Sequence, residues 1–331
     1  MKRGIMIALK IVFSLGLLAL LFYRFPLTLE RWRTEWENLQ WNWFWLSLLT
    51  AAISIIIGIA RWHFLLKTQD IHLGFVHTLA IGFIGLFFSI FSIGVIGGDA
   101  ARAFYLFQIK KIKKTPALFS IFLDRILGFL GLCALAFCAL PLSWRWLSQE
   151  PESKIFVLFL STMLGAGMIG LLSALLFRKK NWGLFHLIKR WSWGKNLLEQ
   201  MDQALEICLQ KGKTLISVCF ILSIGVHLSL IFCGYFLARA FSLPIPFLLM
   251  TGMMPIVNAV ITLPITISGL GLRETAFLLL FRGAHIGEEK AFIFSLTYWI
   301  LAVILALIGG LLYIFYRCPK ELRTNKVTAH Q

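Results

Sequence analysis

The apolar positions of this chain fall in long unbroken blocks rather than at the 3.6- or 2-residue periods of half-buried helices and strands. Eight blocks stand out, at 5–22, 44–60, 75–96, 118–142, 155–177, 215–237, 247–267 and 291–316. Each is close to the ~20 residues a helix needs to span ~30 Å of hydrocarbon, where every backbone amide must find its partner within the chain. The pattern predicts an all-α, polytopic membrane helix bundle. The first block follows Lys2 and Arg3 but runs into Phe22 and Tyr23 without a small-residue cleavage site, so it reads as an uncleaved anchor.

Composition agrees. Of 331 residues, 59% are apolar and 14% charged, and the mean hydropathy is +0.83, which a soluble chain could not bury. Thirty Phe and 12 Trp exclude disorder, and 6 Cys are too few for a disulfide scaffold of this length. The net charge of +17 would suggest nucleic acid in a soluble protein. Here the lysines and arginines sit in short loops between blocks, where they mark the cytoplasmic face and meet anionic headgroups.

That bias also sets topology. If all eight blocks cross, the basic runs Lys110, Lys111, Lys113, Lys114 and Arg178, Lys179, Lys180 fall outside. If the third and seventh dip in and return, 22 basic residues lie inside and 9 outside. The expectation is therefore about six crossing helices plus two re-entrant broken segments, with both termini cytoplasmic. The segment 178–213 reads as a cytoplasmic amphipathic stretch, with Met201, Leu205, Cys208 and Leu209 at helical spacing after Trp182, Trp191 and Trp193. Residues 318–331 form a cytoplasmic tail. Leu29, Trp32, Trp36 and Trp43 resemble an aromatic belt on the opposite face.

The third and seventh blocks also carry the polar chemistry. The third ends in Gly94, Gly97, Gly98, Asp99 and Arg102, and the seventh contains Pro255 and Pro264 before Gly269, Gly271, Arg273 and Glu274. Glycines and prolines there predict backbone breaks. The two glycine clusters are about half a chain apart, as expected of inverted-topology halves, 1–165 and 166–331, whose broken helices meet at a central site. Each break would expose helix-terminal amides to an anion, with Arg102 and Arg273 adding fork-shaped donors suited to phosphate. The competing assignment makes Asp99 an N-cap, Glu274 a first-turn acid and the arginines interfacial.

Asp124 and Arg125 lie inside the fourth block, where each charge costs about 2.5–3.5 kcal/mol at mid-membrane and needs a partner. Side chains adjacent in sequence point about 100° apart on a helix, so the partners are expected elsewhere: Arg102 for Asp124, and Asp99 or Glu274 for Arg125. Asn258, between the two prolines, is a further candidate contact, for substrate or for a neighbouring helix.

Gly97-Gly98-Asp99-x-x-Arg102, Asp124-Arg125-x-x-Gly128 and Gly269-x-Gly271-x-Arg273-Glu274 together resemble the three signatures of the lysylphosphatidylglycerol synthase transmembrane-region family, also called the flippase-like domain family. The resemblance covers essentially the whole chain and includes the membrane domain of multiple peptide resistance factors. It implies a bacterial cytoplasmic-membrane lipid transporter, flippase- or scramblase-like, for a phospholipid or polyprenyl or glycolipid with an anionic headgroup. By the resemblance Gly97, Gly98, Asp99, Arg102, Asp124, Arg125, Gly269, Gly271, Arg273 and Glu274 line the substrate path. Asp124 departs from the Glu more frequent at that place. No soluble aminoacyl-transferase domain follows the last block, so a transferase activity is not expected.

Other chemistry is sparse. There is no nucleotide-binding G-x-x-x-x-G-K-[ST] loop, no C-x-x-C pair and no H-E-x-x-H, so neither cofactor nor metal is expected. A membrane-embedded lipid-linked transferase component and a noncatalytic partner of a separately encoded lipid synthase are the rival readings.

Overall fold

The computed structural model describes residues 29–91, 95–109, 112–176, 213–262 and 269–316. The anchor predicted at 5–22, the amphipathic stretch ending before Lys213, Lys110, Lys111, Pro264 and the 318–331 tail lie outside these residues. The described chain is helical almost throughout: α1 (Leu29–Glu37), α2 (Trp41–Thr68), α3 (Phe75–Phe91), α4 (Val95–Phe107), α5 (Lys114–Leu147), α6 (Pro151–Leu176), α7 (Lys213–Ala240), α8 (Phe247–Thr262), α9 (Leu272–Arg282) and α10 (Glu288–Phe315). Five of them, α2, α5, α6, α7 and α10, are long and apolar enough to cross a membrane. Their outward faces carry large apolar side chains such as Phe159, Ile221, Ile314 and Phe315, as a lipid-solvated surface requires.

Both broken segments are helical hairpins. Gly85 of α3 lies against the Arg102 side chain of α4, and a side chain on Gly98 would collide with Ser89, so α4 runs back along α3. The second hairpin is fixed at its open end. Gly252 near the start of α8 lies against Ser143 and Leu147, while Gly283 at the end of α9 lies 3.1 Å from the Trp146 carbonyl by the same Cβ measure. Both ends therefore meet the last turns of α5, and the chain reverses between them.

The order long helix, hairpin, long helix occurs twice, at 41–147 and 213–315, with α6 between. Helices α2 and α7 lie antiparallel: Ser47 Oγ donates to the Cys233 carbonyl at 2.8 Å near one end, and Arg61 donates to Ser223 near the other. Each hairpin packs on the final long helix of the other unit. Helix α3 meets α10 where Gly309 admits the Phe83 carbonyl, and α8 meets α5 where Ser143 Oγ donates to the Leu248 carbonyl at 2.7 Å. The ends of α2 and α7 match in detail. Ile71 N–H bonds the Leu66 carbonyl past Asp70 at φ 56°, and Leu243 N–H bonds the Ala238 carbonyl past Ser242 at φ 53°. Both are six-to-one terminal loops that satisfy a carbonyl the helix would otherwise leave open.

The main core gathers α2 and α5 through α10, with Phe277, Phe281, Phe292 and Phe294 fully buried. A smaller one seats the first hairpin, joining Trp62 and Leu66 of α2, Ile81 and Ile84 of α3, Leu106 of α4 and Ile121 of α5. At one end Arg282 ion-pairs with Glu152 and Glu288, tying α6, α9 and the start of α10 together.

Two expectations change here. The α2 helix does not end at residue 60; it continues to Thr68, so Arg61 belongs to a helix and not to a loop. Trp62, Phe64, Leu65 and Leu66 keep that stretch apolar beyond the single charge. Gly97 and Gly98 likewise do not form the break, because α4 already begins at Val95. Gly98 instead allows α4 to touch α3, a use of glycine that the same sequence pattern cannot distinguish from a bend.

Candidate functional site

A buried charge cluster forms where α2, α4, α5 and α7 meet. Asp124 lies ten residues into α5, roughly 15 Å along the helix. Its Oδ1 accepts from Arg61 Nε at 2.7 Å and its Oδ2 from Arg102 Nη1 at 3.3 Å. Arg61 also donates through Nη1 to Ser223 Oγ at 2.9 Å. Its guanidinium fits because Gly128 has no side chain: a Cβ there would sit 3.3 Å from Arg61 Nη1. Arg102 stacks on Trp62, its Cζ 5.0 Å from the ring centroid.

Asp99 and Arg102 are three residues apart on α4 and so share the face turned to α5. While Arg102 reaches Asp124, Asp99 accepts a two-pronged bond from Arg125, Nε to Oδ2 at 3.0 Å and Nη2 to Oδ1 at 2.6 Å. The neighbouring Asp124 and Arg125 thus point to different partners, as helix geometry demands. The side chains of Arg61 and Asp124 are 9% and 5% exposed, whereas Arg125 and Asp99 are 42% and 24% exposed. The inner pair is a low-dielectric interaction and the outer pair a partly screened one.

The tally of charge decides what such a site can do. Three arginines face two aspartates, and Asp124 serves two of the arginines. One positive charge is in excess. Arg102 makes a single hydrogen bond to a side chain, so its remaining guanidinium donors have no partner among the described residues.

The second hairpin builds a different site. Gly269 and Gly271 take φ of +74° and +84°, backbone that a side chain would strain, and lead directly into α9. Glu274, in the first turn, accepts the Gly271 N–H at 2.6 Å and caps its own helix. Its other oxygen pairs with Arg273, whose Nε donates to Ser295 Oγ at 3.2 Å and whose guanidinium lies over Trp299. Arg273 and Glu274 are both fully buried and charge-neutral together. Asn258 accepts a long bond from Tyr298 OH, 3.5 Å, and its Nδ2 is buried without a partner among the described residues.

Of the expected pairings, Arg102 with Asp124 and Asp99 with Arg125 are present. Glu274 does not reach Arg125, because Arg273 and the Gly271 amide already occupy it. The three arginines expected around one path stand in two clusters with no hydrogen bond or ion pair between them among the described residues. Arg61, Trp62 and Ser223 were not among the expected site residues; the apolar residues after Arg61 were the signal that it lies within a span. Among the described residues no group of His, Cys, Asp and Glu could hold a metal ion, and Cys133, Cys138, Cys219 and Cys233 are free thiols.

A family model described as the lysylphosphatidylglycerol synthase TM region matches residues 7–310. No curated protein matches the chain.

Proposed function

The chain belongs to the lysylphosphatidylglycerol synthase TM-region family, and from that premise we propose that it moves an anionic lipid between leaflets as a flippase- or scramblase-like transporter. The observation that carries the reading is the excess positive charge of the Arg61, Arg102, Arg125, Asp99 and Asp124 cluster. Charge in a membrane interior is costly and marks function by default, and here the surplus sits on a guanidinium with open donors. A phosphodiester headgroup supplies one negative charge and the oxygen acceptors that an arginine fork fits. Its acyl chains would remain in lipid.

The two hairpins, entering from opposite faces and related as inverted halves, would alternate access to the path by rocking against the paired helices α2 and α7. In this reading hairpin one receives the headgroup, and Gly269, Gly271, Arg273, Glu274 and Asn258 form the wall that opens to release it. The protein sits in the bacterial cytoplasmic membrane with both termini cytoplasmic. The substrate is a phospholipid or a polyprenyl or glycolipid phosphate.

Purified protein in vesicles carrying a trace of headgroup-labelled lipid tests this. Reduction of the label by an impermeant reagent should proceed past the outer-leaflet half for labelled phosphatidylglycerol, faster than for the phosphatidylcholine analogue. Equal and protein-independent rates for both lipids would contradict it.

A further inference from the structure

We infer that His227 is a positioning residue that makes headgroup binding proton-dependent, a reading that rests on the anionic-lipid site proposed above. His227 lies in α7, one turn after the Ser223 that holds Arg61, and is 9% exposed. Its Nε2 is 3.0 Å from the Gly128 carbonyl. A carbonyl only accepts, so Nε2 carries the proton and the neutral ring presents a bare Nδ1. That Nδ1 is buried and has no hydrogen-bond partner among the described residues. Such an orphan is uncommon in a folded interior and calls for a reason.

The reason lies across Gly128. Gly128 accepts from His227 through its carbonyl, and the room left by its missing side chain is taken by the Arg61 guanidinium. On α2 the charged group facing His227 is therefore Arg61. On α5 it is Asp124, one turn before Gly128, which is already shared between Arg61 and Arg102. A proton on Nδ1 in the empty site would add a second surplus charge to a cluster that already carries one. With a monoanionic phosphodiester in place the first surplus is cancelled, and the same proton is tolerated. Anion binding and proton uptake at Nδ1 thus favour one another, and by thermodynamic linkage each raises the other's affinity by the same factor.

The test is made on the full-length protein in nanodiscs of phosphatidylcholine, titrated with dihexanoyl phosphatidylglycerol at pH 5.5 and 8.0, with dihexanoyl phosphatidylcholine as the uncharged-sum control. The wild type should bind the phosphatidylglycerol more tightly at pH 5.5 than at pH 8.0, by no more than the ~5- to 150-fold by which coupled sites typically change each other's affinity. The His227→Gln protein, which keeps a donor for the Gly128 carbonyl but cannot gain a proton, should bind equally at both pH values. A pH effect that survives His227→Gln, or a wild type that binds with no pH effect, overturns the role of His227 while leaving the lipid site standing. Failure to bind at either pH overturns the lipid site and this inference with it. Should His227→Gln not fold, proton uptake is measured on the wild type with a soluble indicator dye: ligand addition near pH 6.5 should draw protons from solution, and no uptake would refute the coupling.

Discussion

An Asp124→Ala protein should lose about 3–5 kcal/mol of stability, the scale seen when one partner of a buried ion pair is removed. Among the described residues Asp124 is the one acceptor that Arg61 and Arg102 share, and the Arg61 side chain beside it is 9% exposed. Without the carboxylate, two guanidinium groups are left near one another in an apolar interior, with Ser223 the partner remaining to Arg61 among the described residues. The carboxylate also joins α2, α4 and α5, so its loss loosens the seat of the first hairpin. Thermal unfolding in detergent, read as loss of tertiary signal, checks this. The paired change Asp124→Leu with Arg61→Met should recover part of the loss, because the inner pair is then replaced by apolar side chains while Arg102 still lacks its counter-ion. Wild-type stability in Asp124→Ala would mean that the cluster is hydrated rather than buried.

Arg102→Ala should have the opposite profile: intact folding and severely impaired lipid exchange. Arg102 gives Asp124 one bond at 3.3 Å, while Arg61 holds the same carboxylate at 2.7 Å and stays in place. The fold therefore keeps its stronger pair, and the cluster loses its surplus charge and its open donors. Hydrogen bonds to charged groups contribute about 1.5–3 kcal/mol, so headgroup affinity should fall roughly ten- to a hundredfold. Arg102→Lys should rescue only part of this, since an ammonium restores charge but not the planar fork. Arg273→Ala would be less informative. It strands the fully buried Glu274 without its counter-ion, so lost exchange there could reflect damage to the second hairpin.

How far these features were legible in the sequence follows from what each residue type can signal. Long apolar blocks specify spanning helices because backbone amides in lipid have no alternative partner, and α5, α7 and α10 lie where the blocks do. The pairs Arg102 with Asp124 and Asp99 with Arg125 were legible for a related reason: a charge inside a span demands a counter-charge, and few were on offer. Arg61 was missed, because a basic residue at the end of an apolar block has the signature of a loop and only Trp62, Phe64, Leu65 and Leu66 after it argued for a longer helix. Only the three-dimensional approach of Gly128 reveals the space that accommodates it. The function of Gly98 was equally hidden, since bending and close contact leave the same residue in the sequence. Glu274 was one of two partners offered to Arg125, with a first-turn acid as the competing assignment; the positive φ of Gly271 turns an amide toward it and makes it that first-turn acid. The similarity of the two units is carried by element order and helix-end geometry, as at Asp70 and Ser242, rather than by matching residues.

Retention of an anionic headgroup by the surplus charge of the first cluster is open to direct observation by cryo-EM of the protein in phosphatidylglycerol nanodiscs. The expected result is a lipid phosphate within hydrogen-bond distance of the Arg102 guanidinium, with Arg61 still bound to Asp124. Lipid phosphate seated only at Arg273, or none near either hairpin while the exchange assay is active, would contradict it.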